Sequence, residues 1–326
     1  LTFKAGGGIE VNDDLTGTVN GQTLDMNADQ NGDGTGSFTV KSGKSLSSNN
    51  GVLSLTAADV NIAGTVTSGT APMFVHSTNQ RTIGLGSTSM LMDVDDGTEF
   101  QHMTATGLTI GQIGTNKNIQ VIGLTLLNTN PITGTITLIA QTADAQVLFE
   151  DNASTFRGLA VQARDGIVDE THIFVDKNSM YLDGSFEDSS SSELGFTDGR
   201  TITSRTLMTL ESSTGVIAPA GTLTLLSGSG IIIQDSLLGG ASGNTMVVNS
   251  DFESQGDGTL TINAGKTFSS NQGAITLTAW DVDMSGSITA GTGASSSLVI
   301  HGSKTVQTIG LGATAKDMHV TDAEFG

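Results

Sequence analysis

GKSLSSNNGVLSLTAADVNIAG, residues Gly43–Gly64, is the stretch that decides the reading. Apolar residues fall at Leu53, Leu55 and Ala57, then at Val60 and Ile62, with polar residues between most of them. A period of two is what a strand with one buried face requires. The stretch returns at an offset of 222 as GKTFSSNQGAITLTAWDVDMSG, Gly265–Gly286, with 12 of 22 positions identical. Apolar residues exchange for apolar ones: Leu46 for Phe268, Val52 for Ala274, Leu53 for Ile275, Ile62 for Met284. Positions that vary only within the apolar set behave as a core.

The match widens on both sides. Leu1–Leu15 (LTFKAGGGIEVNDDL) aligns with Leu223–Leu237 (LTLLSGSGIIIQDSL). Thr82–Gly86 aligns with Thr308–Gly312, now at an offset of 226, and Glu99-Phe100 with Glu324-Phe325. Residues 1–104 therefore repeat as 223–326, with a unit length of 222, and residues 105–222 occur once. One and a half copies are expected to be a window onto a longer tandem array. The offset changes near Gly69–Asn79, so a coil corner there tolerates insertion.

The same alternation runs through the rest of the chain, for example at Ile136, Leu138 and Ala140 or at Leu223 and Leu225, with Gly, Asn, Asp and Ser between runs. No sustained amphipathic helix is visible. Many short strands build either a sandwich or barrel or a solenoid. The runs continue along nearly the whole chain, aromatic residues are only 4%, and Gly alone numbers 43 of 326. Those features favour an all-β, elongated parallel β-helix (β-solenoid) of right-handed coil, continuous over residues 1–326. With ~4.8 Å between strands and an assumed ~20–24 residues per coil, one unit would make roughly ten coils.

Charge bounds the partners. The net charge is −20 with only 13 Lys and Arg, which argues against nucleic acid and anionic membranes. No apolar run reaches a membrane span. Cys is absent, which removes disulfides and thiolate metal sites. Leu1 is not an initiator residue, which fits a leader already removed.

Three segments carry a resemblance to a known family: Ile83-Gly84-Leu85-Gly86, Asp96–Gly111 (DGTEFQHMTATGLTIG) and Asn118–Ala140 (NIQVIGLTLLNTNPITGTITLIA). Together they resemble the filamentous-haemagglutinin-like β-helical exoproteins of two-partner secretion, over roughly residues 80–140 and again 305–326. The resemblance implies a β-helical fold and an extracellular or cell-surface location. It supplies no catalytic residues, and the family's amino-terminal secretion domain is not in this chain.

Chemistry has few candidates. Asp29, Asn31, Asp33 and Thr35 form a D-x-N-x-D-G-T run, the alternating oxygen pattern of calcium loops. The closing Glu is missing, since Val40 stands at the twelfth position, and an acidic turn between coils is the competing reading. The acidic groups Asp93, Asp95, Asp96 and Asp165, Asp169, Glu170 are weighed as glycosidase-type carboxylates against plain surface acids. The first becomes Asp317, His319, Asp322 in the other copy, so surface acids are preferred. His76, His102, His172, His301 and His319 show no zinc spacing. Gly84-x-Gly86 lacks the third Gly of a dinucleotide loop. Trp280, opposite Ala58 in the other copy, is weighed as a sugar platform against local packing. Asn152-Ala153-Ser154 is the sole glycosylation sequon. The acidic, Ser-rich run Glu187–Glu193 predicts a protruding loop over residues 185–200.

These readings converge on a non-enzymatic extracellular structural protein, a rod or filament of tandem β-solenoid units. Its expected partner is itself, by head-to-tail stacking or covalent continuation. A glycan-binding adhesin is the alternative, and a carbohydrate-active β-helix enzyme the second alternative.

Overall fold

The computed structural model describes residues 1–94, 99–186 and 192–325. The chain divides into two compact units, Leu1–Asp165 and Gly166–Gly326. Each is a parallel β-solenoid.

In the first unit one face stacks Thr2–Lys4, Leu24–Asn27, Leu53–Ala57, Met73–Ser77, Leu108–Ile110, Ile136–Ala140 and Leu159–Ala163, in that order. A second face begins with Ile9–Val11, Ser37–Val40 and Asp59–Ile62, and a third with Leu15–Thr16, Ser45–Ser47, Thr65–Thr67 and Met103–Thr104. Chain order visits the three faces in turn, so each circuit is one coil. In the second unit, Ile173–Val175, Arg200–Ser204, Leu223–Ser227, Met246–Asn249, Ala274–Ala279 and Ser297–Gly302 form one such ladder.

The alternation read from the sequence is the alternation of burial. Leu53, Leu55 and Ala57 are buried while Ser54 and Thr56 are partly exposed, and Ile275, Leu277 and Ala279 repeat the pattern. The described strand pairs are parallel and, apart from a shift between Arg81 and Ile83, in register, so inward residues stack on inward residues: Leu24 on Leu53 on Met73, and Met26 on Leu55 on Val75. At roughly 25 cal/mol per Å² of apolar area, these ladders supply most of the driving force.

Coil length is not constant, and several coils of this face are longer than the assumed value. The steps between successive partners Leu24, Leu53, Met73, Leu108, Ile136 and Leu159 are all different, the shortest being Leu53 to Met73 and the longest Met73 to Leu108. The strands are short, and the corners absorb the rest. The longest step carries an excursion, the strand Met92–Val94 laid beside Arg81–Gly86 and the 3₁₀ turn Phe100–His102.

The two copies of the repeat fold alike, strand for strand. Leu53–Ala57, Asp59–Ile62 and Thr65–Thr67 recur as Ala274–Ala279, Asp281–Met284 and Ser287–Thr289. Met26 pairs with Leu55 and Val248 with Leu277, a coil of equal length in each copy. The copies diverge in the next corner, where the step from Ile275 to Leu298 is longer than the step from Leu53 to Met73.

The loop expected at 185–200 is shorter than that. Leu194–Phe196 is a strand paired with both Ile167–Asp169 and Ile217–Pro219, and Ser185 and Ser192 are buried. Residues 187–191 lie outside the described residues, as do Asp95 and Asp96.

Candidate functional site

The run from Asp29 to Thr35 follows the strand Leu24–Asn27 and turns the chain toward Ser37–Val40. Asp29 is buried and faces inward, where its Oδ2 accepts the Gly34 N–H at 3.0 Å and the Thr78 hydroxyl. Asp33 accepts the Thr35 N–H at 3.0 Å, the Thr35 hydroxyl at 2.6 Å and the Asn31 amide at 2.7 Å. The Thr35 hydroxyl foremost holds the Asp33 carboxyl below its ordinary value. The four residues proposed for calcium thus form a hydrogen-bonded turn, with Asp29 as its inward anchor. Among the described residues no three or more His, Asp or Glu side chains gather into a metal-holding group.

That anchor is repeated. Asp251, its equivalent in the second copy, is also buried, accepts the Gln255 and Gly256 N–H groups at 3.0 and 2.9 Å, and accepts the Ser303 hydroxyl. Thr78 and Ser303 are the partners from a neighbouring corner. The acids are visible in the sequence, but a calcium-loop pattern hides the equivalence, because the second copy (Asp251–Gly258, DFESQGDG) does not keep the D-x-N-x-D spacing. The signal that could have found it is the bare offset, Asp29 to Asp251 and Gly34 to Gly256.

Further polar links recur between coils. Asp59 accepts the Asp93 N–H and Asp281 the His319 N–H, both at 3.1 Å. Glu99 accepts the Ile62 N–H at 3.0 Å and Glu324 the Met284 N–H at 3.2 Å. Lys44 pairs with Asp13 at 2.8 Å and Lys266 with Asp235. The turns Asn49-Asn50 and Asn271-Gln272 are both left-handed, with φ of 57° and 63° and of 50° and 72°. A left-handed pair suits Asn, whose short polar side chain tolerates it.

The remaining candidates disperse. Asp165 accepts the Asp144 N–H at 2.7 Å, Glu170 is exposed, and Asp169 is buried in the core, where burial pushes its carboxyl up to about 8. The histidines serve local structure. His102 Nδ1 lies 2.9 Å from the Ile62 carbonyl, His319 Nε2 2.6 Å from the Gly312 carbonyl, and His172 Nδ1 accepts the Thr201 N–H at 3.0 Å. His76 lies beside Phe74, and burial holds its imidazole below the ordinary value. Trp280 is not an open platform: the Lys304 ammonium sits over its ring at 5.1 Å, and Gly256 abuts its edge. Asn152 is exposed, while the sequon's Ser154 is buried and accepts the Leu124 N–H.

One acidic group was missed. Tyr181, the only Tyr in the chain, donates to Glu211 at 2.6 Å and to Asp183 at 3.2 Å. Asp183 and Glu211 are register partners on adjacent coils. Burial foremost, then the Glu211 hydrogen bond, pushes the phenol above its ordinary range, so it remains a donor. The group ties two coils together; only the register, invisible in sequence, brings the acids side by side.

No family model, curated protein or solved structure matches the chain. What the geometry presents is a set of stacking surfaces, repeated in both copies, with polar links that bind coil to coil.

Proposed function

We infer that this is an extracellular structural protein whose repeat unit, spanning positions 1–222, continues as a tandem array. The observation that carries the reading is the repetition of the inter-coil links. Asp29 and Asp251, Asp59 and Asp281, Glu99 and Glu324 keep the same hydrogen-bonding roles, and all of them serve stacking. A repeat that preserves stacking, and disperses its other polar residues, is built to make length. Each coil buries the face of its neighbour, so rigidity grows with coil number. The net charge of −20 supports a soluble, self-repelling lateral surface, so growth is directed along the stack. The resemblance to filamentous-haemagglutinin-like exoproteins supports placement outside the cell.

The test is electron microscopy of the protein in its native source, with the sequence beyond Gly326. Rods or filaments, and residues resembling 101–222 after Gly326, are the expected results. Discrete globular particles would overturn the reading.

A further inference from the structure

The corners of the first unit differ in length, and the difference opens a notch. Residues 41–44 join Ser37–Val40 to Ser45–Ser47. In the next coil only Ala63 and Gly64 join Asp59–Ile62 to Thr65–Thr67. Glycine is required there, because an added Cβ on Gly64 would lie 2.2 Å from the Lys44 carbonyl oxygen and 2.5 Å from that of Lys41. The coil after that widens again, with the 3₁₀ turn Phe100–His102 leading into Met103–Thr104. A short corner between two longer ones leaves a cavity of about 400 Å³ on the side of the stack, within the size range of small-ligand sites. Asp14, Lys44, Ser45, Ala63, Thr65 and His102 line it.

The polar groups of the notch are oriented by the protein and keep capacity for a ligand. Asp14 Oδ1 accepts both the N–H and the hydroxyl of Ser45 at 2.9 Å, which orients the carboxylate and leaves its second oxygen to accept. Lys44 donates one N–H to the exposed Asp13 at 2.8 Å, and an ammonium has two more to give. His102 Nδ1 donates to the Ile62 carbonyl at 2.9 Å, so Nε2 of the neutral ring is an acceptor.

The second copy builds the same corner and closes it. Gly286 again abuts two carbonyl oxygens, those of Lys266 and Asn263, at 2.4 and 2.6 Å from an added Cβ. Ser236 stands in the place of Asp14. The register partners Thr267 and Ser287 bond each other through their hydroxyls at 3.1 Å, and Lys266 is drawn to the buried Asp235. In the first copy the partners are Ser45 and Thr65, and Ser45 gives its hydroxyl proton to Asp14 instead, which leaves the Thr65 hydroxyl to the notch.

We propose that this notch binds a neutral sugar residue. A sugar hydroxyl both donates and accepts, and the notch offers both: Asp14 and His102 accept, Lys44 donates, Thr65 does either. An anion would meet the carboxylates of Asp13 and Asp14, and a cation would meet the Lys44 ammonium. The exposed methyl of Ala63 on the floor offers a surface for the C–H face of the ring. The site adds binding to the structural role and stands whether or not the unit continues as an array.

The test is two-dimensional NMR of the amides and imidazoles of the full chain. The probes are the methyl glycosides of glucose, mannose, galactose and fucose, which differ in the axial and equatorial placement of their hydroxyls. Each is added from about 0.1 to about 50 mM, a range that brackets weak association. At least one is expected to shift the signals of Lys44, Ser45, Thr65 and His102 saturably, with Kd on the order of 1 mM. The signals of Lys266, Thr267 and Ser287 are expected to stay in place. Asp14→Ser, which installs the second copy's residue, should weaken binding about tenfold or more, the worth of a hydrogen bond to a charged group. Ala63→Leu, which fills the notch, should abolish it. Both positions are exposed, and far-ultraviolet circular dichroism checks that each variant folds. Inorganic phosphate and calcium, added separately, should leave the notch signals unchanged. The proposal is overturned by no shift with any of the glycosides, by equal shifts at both corners, or by Asp14→Ser binding as the unmodified chain does. A saturable response of the notch signals to phosphate or calcium overturns it as well.

Discussion

Asp169→Asn is expected to stabilise the protein, increasingly so as the pH rises. Asp169 ends the strand Ile167–Asp169 with its side chain in the core, stacked in register with Phe196. One carboxylate oxygen accepts the Thr171 N–H at 3.1 Å and the other has no partner. Burial pushes the carboxyl up to about 8, against the pull of the Thr171 N–H and the more distant Arg200. In the unfolded chain the group ionises at its ordinary value of 3.8. Between those two values the folded protein holds a proton that the unfolded chain has released. Stability therefore falls as pH rises through that window and levels off above about 8. By pH 7 the ceiling on this loss is roughly 4 kcal/mol, at about 1.4 kcal/mol per pH unit. Asparagine keeps the acceptor for Thr171 and carries no titrating proton. Urea unfolding of both proteins at pH 4, 6, 7 and 8.5 measures the effect. The two should be similar at pH 4 and diverge in favour of the variant by a few kcal/mol at pH 8.5. A stability difference that does not change with pH would refute the reasoning, because it would place the ionised carboxylate in the core at neutral pH.

The twin sites supply matched comparisons. Asp235→Ala should cost about 1–3 kcal/mol, because Asp235 is buried, bonds the Ser212 N–H and leaves Lys266 unpaired when removed; Asp13→Ala, at its exposed counterpart, should leave the thermal midpoint unchanged. Gly36→Ala and Gly258→Ala should each destabilise by about 2 kcal/mol or more, since the added Cβ would lie 2.0 Å from the Ala28 carbonyl oxygen and 1.9 Å from that of Ser250. Gly7→Ala, with nothing within 4 Å, is the control and should be neutral by the same melting assay. Calcium at millimolar concentration should give no binding heat in titration calorimetry, because Asp29 Oδ2 is committed to Gly34 and Thr78 and the Asp33 carboxyl to Asn31 and Thr35; measurable heat lost in Asp33→Ala would show that the turn opens to take the ion.

The fold was legible in the sequence because burial and alternation coincide. Leu53, Leu55 and Ala57 had to face one way, and a parallel stack gives every such run the same neighbours above and below. Coil length was not legible. Corners such as the one before Met73, or the excursion through Met92–Val94, carry residues that bury little and follow no period. The same limit applied to the polar residues. Asp29 and Thr78 are far apart in the chain, and Asp183 meets Glu211 only through the register. A motif scan reads neighbours in sequence, while these pairs are neighbours across coils. The internal repeat was the one tool able to find them, through the shared offset of Asp29 with Asp251 and Asp59 with Asp281.

The placement of those pairs answers a problem that apolar ladders leave open. A strand of alternating residues set against a like strand can slip by two residues and still bury the same face. Leu53-Ser54-Leu55 against Met73-Phe74-Val75 offers little that forbids it. A buried carboxylate does forbid it. If the coil carrying Thr78 slipped by two residues, Asp29 would lose its hydroxyl partner inside the core, and leaving a buried polar group without its partner costs about 1–3 kcal/mol. Glu99, also buried, acts the same way through the Ile62 N–H, and the half-buried Asp59 adds its bond to the Asp93 N–H on the second face. The copies exchange Leu for Ile and Ile for Met freely in the ladders, yet keep Asp, Asp and Glu at these three positions. Apolar residues supply the energy of stacking and any of several will do. These acids choose among the ways of stacking, and their positions cannot drift without moving a coil.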